Sequence, residues 1–354
     1  MIRCLIIKTS SLGDIIHTLP AITDAVNALG DIEFDWVVEE TFAEIPVWHP
    51  AVKTIIPVAI RRWRKQPIKT LFSEEWKQFK QRISACQYDY IIDAQGLLKS
   101  AWLTRYTHGP VYGLDKNSAR EPLASRFYQY PLSVHGKQHA VERVRQLFAA
   151  VLGYTLDNPN QPEKTNYGLP HITQQAQQKH QPPSILFLHG TTWPTKHWLE
   201  TYWQQLAGLL SHEGYTILLP WGNEAEYQRA ERIKAQAGSH SQTAINVLDK
   251  MSLTELMAQL RRVTAVVAVD TGLAHLAAAL DKPVVAVYGP TSAGLTGTYG
   301  KHQCHLQATL DCAPCFKKHC DKVREHISPE CFFDITPQNV IQSLHSLLDQ
   351  VQSA

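Results

Sequence analysis

The N-terminal segment KTSSLGDIIHTLP, residues 8–20, carries one carboxylate, Asp14, in a turn of small residues between an apolar run and a helical pattern. Turns of this kind in α/β proteins often hold phosphate, which a carboxylate repels. Asp14 is instead placed to take a proton from a bound hydroxyl as a general base. The plainer alternative, which the pattern alone favours, is a helix-start carboxylate that the helix dipole stabilises by about 0.3–1 kcal/mol.

The clearest motif is AVVAVDTGLAHLAAAL, residues 265–280, in which an apolar run ends at Asp270 and a helical pattern begins at once. Unpaired backbone N–H groups at such a helix start lie at the positive end of the dipole and can hold a pyrophosphate without side-chain charge. Gly272 lets a ligand approach the backbone closely. The spacing supports equally well an Asp270 that caps the helix and a His275 that packs in the core.

Two further segments of the second half place polar groups after apolar runs. HGTTWPTKHW, residues 189–198, supplies Lys196, which either neutralises a phosphate as a point charge or is a solvated loop lysine. PWGNEAE, residues 220–226, supplies Glu226, which either holds a ribose diol or begins an exposed helix. The sequence has no G-x-G-x-x-G after its first apolar run and no G-x-x-x-x-G-K-[ST], so dinucleotide oxidoreductases and P-loop NTPases lose their main support.

The first half contributes a basic segment, AIRRWRKQPIK, residues 59–69, with no acid before Glu74. Arginines in such a segment can bind phosphate bidentately or attach to an anionic membrane at about 1 kcal/mol per charge. A solvated charged loop is the ordinary alternative. DAQGLLKS, residues 93–100, and AREPLAS, residues 119–125, add polar groups that are also candidates for a binding site.

Short apolar runs of strand length alternate with amphipathic helical patterns through both halves, which predicts an α/β fold with parallel sheets covered by helices. We expect two doubly wound domains over 1–160 and 184–335, joined by a Pro-, Gln- and Asn-rich linker over 157–184. A C-terminal helix over 336–354 begins with a Thr-Pro signal and is expected to pack toward the N-terminal domain. Doubly wound sheets bind ligands beyond the carboxyl ends of their strands.

The composition indicates a globular protein of 354 residues, with 44% apolar and 19% charged residues. A formal net charge of +2 is too small to indicate a polyanion partner. The first apolar run is too short for a signal peptide and none reaches the roughly 18 residues of a membrane span, which predicts a cytoplasmic protein. Four cysteines spaced C-x2-C-x4-C-x10-C can hold structural zinc, although the spacing is not that of a standard finger: Cys312, Cys315, Cys320 and Cys331.

Together these segments resemble the inverting heptosyltransferase family of two-domain, Rossmann-like (GT-B) glycosyltransferases, whose two domains face a central cleft. The resemblance spans nearly the whole chain and rests on KTSSLGDIIHTLPA, FDWVVEE, IPVAIRRWRK, DAQGLLKSA, AREPLAS, HAVER, LPWG, KMSL and VDTGLAHLAAALDKPVVAVYGPT. VDTGLAHL indicates the wider family, whereas RRWRK and AREPLAS point to members that add the first heptose. DCAPCFKKHC differs from that pattern and looks more like members that act later in core assembly.

The resemblance implies transfer of L-glycero-D-manno-heptose from ADP-heptose to the inner Kdo of Kdo2-lipid A, with inversion and without a required metal or cofactor. Asp14 is implied as the general base and Lys196 as a group that stabilises the leaving diphosphate. The implied donor contacts are Thr191, Thr192, Lys196, Glu226, Met251, Asp270, Thr271, Gly272, Leu273 and His275. The implied acceptor contacts are Ser10, Ser11, Gly13, Arg61, Arg62, Arg64, Lys65, Gln95, Lys99 and Arg120.

Because the acyl chains of such an acceptor are anchored in a bilayer, we expect peripheral attachment to the inner face of the cytoplasmic membrane through the basic segment. The expected partners are ADP-heptose, Kdo2-lipid A and the anionic membrane surface, with no nucleic acid, and the protein is expected to be a monomer. Two alternatives stay open. One is a heptosyltransferase that acts on an already heptosylated core, and the other is a non-catalytic protein that senses ADP and binds nucleic acid.

Overall fold

The computed structural model describes residues 1–170, 182–238, 244–322 and 329–353, which form two compact units. The first unit comprises Met1–Gln161 with 166–170, and the second comprises 162–165 with the described residues from 182 onwards. Residues 171–181 of the predicted linker lie outside the described residues. Each unit has one six-stranded parallel sheet with helices around it, which confirms the predicted α/β class.

The strands alternate with helices in both units. In the first unit the strands are β1 (Ile2–Ile7), β2 (Ile32–Glu39), β3 (Val52–Val58), β4 (Tyr90–Asp93), β5 (Val111–Leu114) and β6 (Tyr130–Leu132). In the second unit they are β7 (Ser184–Leu188), β8 (Thr216–Leu219), β9 (Ile245–Val247), β10 (Ala265–Val269), β11 (Val284–Tyr288) and β12 (Gln303–Gln307).

Most of the helices connect successive parallel strands of a sheet, whereas the last helix of each unit follows the last strand of its sheet. Those of the first unit are α1 (Leu12–Ile16), α2 (Leu19–Leu29), α3 (Glu44–Val47), α4 (Ile60–Trp63), α5 (Pro67–Leu71), α6 (Glu74–Ile83), α7 (Leu98–Ala101) and α8 (Ala140–Leu152). Those of the second unit are α9 (Glu200–His212), α10 (Glu224–Gln236), α11 (Leu253–Arg262), α12 (Gly272–Ala279), α13 (Ala293–Thr296) and α14 (Pro337–Gln352). No helix within the described ranges combines the length and apolarity that crossing a bilayer requires.

Both sheets have the same doubly wound order. The first reads β3-β2-β1-β4-β5-β6 and the second β12-β11-β10-β7-β8-β9, so the winding reverses between β1 and β4 and between β7 and β10. At such a reversal the loops after the two central strands leave in opposite directions and open a crevice for ligand. The loops after these four strands are therefore the parts of each unit best placed to bind one.

Continuous burial explains why the central strands are apolar along their whole length. Residues 4–7 of β1 and all of β10 and β11 are buried, because helices cover both faces of the sheet and side chains alternate between the faces. A strand with one wet face would alternate apolar with polar residues instead. The buried strands hold the loops at their carboxyl ends in fixed register.

Helix α14 belongs to the core of the second unit, and its expected packing toward the N-terminal domain stays a prediction. Its apolar positions Val340, Leu344, Leu347 and Leu348 are buried in the core cluster that also contains side chains of β10, β11 and α9. Their spacing of three and four residues places them on one face of the helix. That face packs beside α9 on one side of the second sheet, and Thr336 caps the helix start.

We expect Leu344→Ala to lower the free energy of unfolding of the second unit by about 2–5 kcal/mol, because it opens a cavity in a fully buried position. Hydrogen exchange should accelerate in peptides from β10 and β11, while peptides from β1 and β4 serve as the internal reference. Ser346→Ala, at an exposed position of the same helix, is the matched control. Loss of protection in β1 and β4 instead would place the helix with the first unit.

Candidate functional site

The turn after β1 contains Asp14, whose carboxylate stabilises the helix start and can also act as a base. Its Oδ2 accepts hydrogen bonds from the Ser11 backbone N (2.6 Å) and from Ser11 Oγ (2.9 Å), which is the reciprocal contact of a capping box. Oδ1 accepts no hydrogen bond from any described residue. Asp14 therefore has the plainer helix-start role, and its second carboxylate oxygen can still accept a proton. Ser11 is exposed and Gly13 is buried beneath the turn.

Gln95 locks the loop after β4 to the turn after β1. Its Oε1 accepts from the backbone N of Thr9 (2.9 Å) and of Ser10 (3.1 Å), and its Nε2 donates to the Ser10 carbonyl (2.6 Å). The amide thus replaces the backbone partners that the turn lacks. The predicted residues Ser10 and Gln95 lie together, and Gln95 acts on the shape of the turn.

Asp93 at the end of β4 supports the same loop from below. Its buried carboxylate accepts hydrogen bonds from the Gln95 backbone N (2.9 Å), Ser100 Oγ (2.9 Å) and Tyr128 Oη (2.8 Å). Burial raises the pKa of Asp93, and these donors oppose that rise. All of its partners are structural, so Asp93 fixes the loop and takes no place in the exposed crevice.

Lys99 brings a positive charge to the turn, where its Nζ donates to Ser10 Oγ at 3.0 Å. Burial is the main reason that the pKa of Lys99 is lowered, and the carboxylate of Glu39 opposes the lowering. The positive charges of Arg61 and Arg64 add to it, so both arginines lie within electrostatic range of the turn. Sequence reasoning named Lys99 and missed Glu39, whose Oε1 accepts from the Arg61 backbone N at 3.0 Å.

Lys8 is a second cation at the turn, and sequence reasoning did not select it. It is buried at the end of β1, with its Nζ donating to the Ala94 carbonyl at 2.8 Å. Burial lowers the pKa of Lys8, while the negative charges of Asp14 and Asp93 oppose the change. The available signal was a lysine that directly follows a buried apolar run.

The basic segment divides into residues with different partners. Arg62 binds two carboxylates, those of Glu40 (3.1 Å) and Glu75, so its guanidinium is already occupied. Arg61 lies over the Phe42 ring at 4.9 Å. Arg64 and Lys65 are exposed and form no ion pair within the described ranges. Of the predicted acceptor residues in the basic segment, Arg62 is the one whose geometry indicates a structural role.

Arg120 lies in the loop after β5, where it is exposed. Its backbone N would lie 3.5 Å from a Cβ placed on Gly96, and Gly96 has a φ of +66° that suits glycine. The glycine therefore allows the loop after β4 to pass close to the Arg120 segment. This contact brings Arg120 to the same end of the sheet as Gln95.

In the second unit a lysine and an aspartate form the centre of the corresponding crevice. Lys196 Nζ lies 2.7 Å from Asp270 Oδ2, and both side chains are largely buried. Thr291 Oγ1 donates to the same carboxylate at 2.5 Å, and Thr191 Oγ1 donates to the Asp270 carbonyl at 2.9 Å. The loops after β7, β10 and β11 thus meet at Asp270. Thr291 is a contact that the sequence did not reveal.

The start of α12 offers unpaired backbone donors beside this ion pair. Thr271 occupies the N-cap position, so the alternative in which Asp270 caps the helix is wrong. The N–H groups of Gly272 and Leu273 have no backbone acceptor within the described part of the chain, as expected for a first helical turn. His275 is buried in that turn. The donors and the Lys196 ammonium together form a suitable site for a diphosphate.

Glu226 lies against the loops after β7 and β8. Its Oε2 accepts from the Gly222 backbone N at 2.8 Å, and Asn223 caps the helix on which it lies. A Cβ placed on Gly190 would lie 2.7 Å from the Glu226 carboxyl carbon, so a larger residue there would displace this carboxylate. Thr192 is exposed next to this glycine loop.

Other parts of the site lie further along the chain. Met251 is half-buried directly before Ser252, the N-cap of α11. Arg229, which sequence reasoning missed, donates to the His189 carbonyl (3.2 Å) and to His197 Nδ1 (2.5 Å). Burial, followed by the charge of Arg229, lowers the pKa of His197 to about 4, so this histidine is neutral near pH 7 and can accept the hydrogen bond. Arg229 thus holds both ends of the loop that carries Lys196.

The four cysteines of the predicted zinc site line one cavity of about 20 Å³. Burial raises the pKa of Cys331 to about 12, and the other three thiols add to the effect. Among the residues that the structure describes, no three His, Cys, Asp or Glu side chains are arranged to hold a metal ion. The geometry gives the zinc prediction no support.

Comparison with known proteins places this geometry in a family. The model of "Glycosyltransferase family 9 (heptosyltransferase)" matches residues 76–325. The chain is similar to the lipopolysaccharide heptosyltransferase 1 of Pseudomonas aeruginosa, with 52% identity and an alignment that covers 98% of each chain.

Two solved structures of heptosyltransferase WaaC from E. coli are also similar. The one with ADP is 44% identical, has a TM-score of 0.82 and aligns over 98% of this chain and 100% of that chain. The one with ADP-2-deoxy-2-fluoro heptose is 47% identical, has a TM-score of 0.77 and aligns over 87% of this chain and 94% of that chain.

We expect Lys196→Ala to weaken the binding of inorganic pyrophosphate by about tenfold or more, because it removes the cation and leaves the Asp270 carboxylate unpaired. Isothermal titration calorimetry measures the change. Lys318→Ala is a matched control, since Lys318 Nζ also lies over the Trp193 ring, at 5.4 Å against 4.6 Å for Lys196 Nζ. Equal losses in the two variants would contradict a specific role for Lys196.

Proposed function

The chain belongs to the heptosyltransferases of glycosyltransferase family 9, and on that premise we propose that it transfers L-glycero-D-manno-heptose from ADP-heptose to the inner Kdo of Kdo2-lipid A. The observation that carries the proposal is the similarity to a lipopolysaccharide heptosyltransferase 1 over 98% of both chains. Synthesis of the lipopolysaccharide inner core is the process in which this reaction takes place.

Asp14 supplies the general base in this proposal. Of the two aspartates that follow central strands, Asp270 is paired with a lysine, whereas Asp14 forms no ion pair with any described residue. Its hydrogen bonds to Ser11 fix the direction of the carboxylate without neutralising it. Oδ1 is then free to take the proton of the attacking Kdo hydroxyl.

The second unit stabilises the leaving group. As the Kdo oxygen forms its bond to the anomeric carbon of heptose, the bond from that carbon to the diphosphate oxygen breaks, and ADP leaves with an added negative charge. The Lys196 ammonium and the N–H groups of Gly272 and Leu273 are the donors for that charge. A single displacement of this kind inverts the anomeric configuration. The assignment uses groups of the chain itself and needs no metal or cofactor.

The donor and the acceptor have different support. ADP-heptose is the donor, in agreement with the family and with the solved relative that carries an ADP-heptose analogue. For the acceptor, the full-length similarity to a heptosyltransferase 1 favours Kdo2-lipid A over an already heptosylated core. Membership of a transferase family removes the reason for a non-catalytic, nucleic-acid-binding role. The protein then works at the inner face of the cytoplasmic membrane, where the acyl chains of the acceptor are anchored.

We expect Asp14→Ala to lower kcat for ADP release from ADP-heptose and Kdo2-lipid A by about 10²–10⁴-fold, which is the usual contribution of a general base. The KM for ADP-heptose should change little, because the donor contacts lie in the second unit. Asp31→Asn is the control, since Asp31 is exposed at the amino end of β2, away from the turn. An Asp14→Ala enzyme with full kcat would remove this residue from the mechanism.

The acceptor is tested by comparing kcat/KM on Kdo2-lipid A and on the same lipid already carrying one heptose. We expect a preference of at least about tenfold for the first, because a site formed around the Kdo hydroxyl loses hydrogen bonds when a sugar already occupies that hydroxyl. Both assays measure ADP release at matched lipid concentration. The reverse preference would support the alternative of a later-acting heptosyltransferase.

A further inference from the structure

Three large apolar side chains are exposed within one short stretch of the first unit. Ile68, Leu71 and Phe72 are 75%, 52% and 82% exposed. Ile68 and Leu71 lie three residues apart on α5 and so share a face, which Phe72 extends at the helix end. Water contact at an exposed phenylalanine is unfavourable, so such a cluster indicates a surface that is covered when the protein functions.

The same stretch is positively charged. Arg64, Lys65 and Lys69 are exposed and form no ion pair with any residue that the structure describes. The acids that follow are already engaged, since Glu75 binds Arg62 and Glu74 lies 3.4 Å from Lys77. The exposed charge of the stretch is therefore cationic.

The stretch is folded, and the buried Trp63 directly before it fixes its position. Trp63 is buried against Trp76 and Phe79, with ring centroids 5.3 and 5.5 Å apart, and its Nε1 donates to Glu75. Thr70 Oγ1 donates to the Gln66 carbonyl at 2.9 Å. The fold thus buries the tryptophan and turns the face of Ile68, Leu71 and Phe72 outward.

The stretch is also close to the turn that carries the proposed base. Besides burial, the positive charge of Arg64 contributes to the lowered pKa of Lys99, whose Nζ reaches Ser10 Oγ at 3.0 Å. A surface bound by the stretch would therefore lie near the turn after β1, which carries Asp14. This position fits an acceptor that is itself anchored in that surface.

We propose that residues 64–72 form a membrane-docking segment, in which Ile68, Leu71 and Phe72 enter the acyl region and Arg64, Lys65 and Lys69 bind anionic headgroups. An apolar face bordered by lysine and arginine is the combination that binds the interface of an anionic bilayer. A protein groove would explain the apolar face alone. The choice of a bilayer rests on the proposed function, because the proposed acceptor is a lipid.

The two components differ in their response to salt. Attraction between the basic side chains and anionic headgroups is screened as ionic strength rises. Insertion of the three apolar side chains removes apolar surface from water and does not depend on charge. Binding to anionic vesicles should therefore fall with salt to a remainder that the apolar side chains supply.

The test uses the full chain and vesicles of phosphatidylethanolamine and phosphatidylglycerol, without donor or acceptor, and measures binding by co-sedimentation. We expect Ile68→Ser/Leu71→Ser/Phe72→Ser to lower the partition coefficient by about tenfold or more at both low and high salt. Arg64→Gln/Lys65→Gln/Lys69→Gln should lower it mainly at low salt, and only on vesicles that contain phosphatidylglycerol. Val47→Ser, at a 62% exposed position of α3, is the matched control and should bind as the unchanged chain does.

Thermal unfolding and ADP binding, which uses the second unit, verify that each variant is folded. Unchanged vesicle binding in the triple serine variant would overturn the proposal. So would a dimer of the unchanged chain that this variant dissociates without loss of vesicle binding, since the face would then join two copies. Vesicle binding without ADP release from the two substrates would defeat the proposed function and leave the docking segment intact.

Discussion

The reversal of strand order between the two central strands of each sheet is the constraint on which both candidate sites depend. Parallel strands end at one edge, and only at the reversal do neighbouring loops part and leave room for a ligand. In the first unit Gln95 spans this gap by binding the backbone of Thr9 and Ser10. In the second unit the gap is spanned by charge, through Lys196 and Asp270. The same topology thus carries a polar, neutral bridge in one unit and an ion pair in the other.

Because one bridge is neutral and the other is an ion pair, the two units differ in the charges that their crevices offer to a ligand. A neutral amide holds the first crevice without pairing with the charge of Asp14, whose carboxylate accepts hydrogen bonds from the N–H and hydroxyl of Ser11. In the second crevice the lysine neutralises the carboxylate, and the carboxylate in turn fixes the position of the ammonium group. The proposed general base needs an unpaired carboxylate, and the amide bridge leaves Asp14 unpaired. The proposed diphosphate site needs an oriented positive charge, and the ion pair orients Lys196.

The sequence predicted the parts of this arrangement that depend on local pattern. Strand-ending motifs identified Asp14, Gln95 and the start of α12, because a buried run followed by a polar turn marks the end of a parallel strand wherever it occurs. It did not reveal that Arg62 is occupied by two acids, or that Arg229 fixes the loop of Lys196, because these pairs join residues of separate elements. The sequence did not reveal that α14 is part of the core of the second unit, for a related reason. An apolar helix face shows that a helix packs, but which sheet it covers is decided by tertiary structure.

The place of α14 has a consequence for the order in which the protein forms during synthesis. The core of the first unit is complete once the chain has been made as far as Leu169, because its sheet and covering helices precede residue 153 and the buried Tyr167 and Leu169 complete it. The second sheet begins at Ser184, and α9 and α10 cover part of one face, but the rest of that face stays open until Val340 to Leu348 leave the ribosome. Domains generally fold as units in the order of translation. The ribosome-bound nascent chain therefore carries a finished first unit, with its outward apolar face, while the second unit still lacks its last helix.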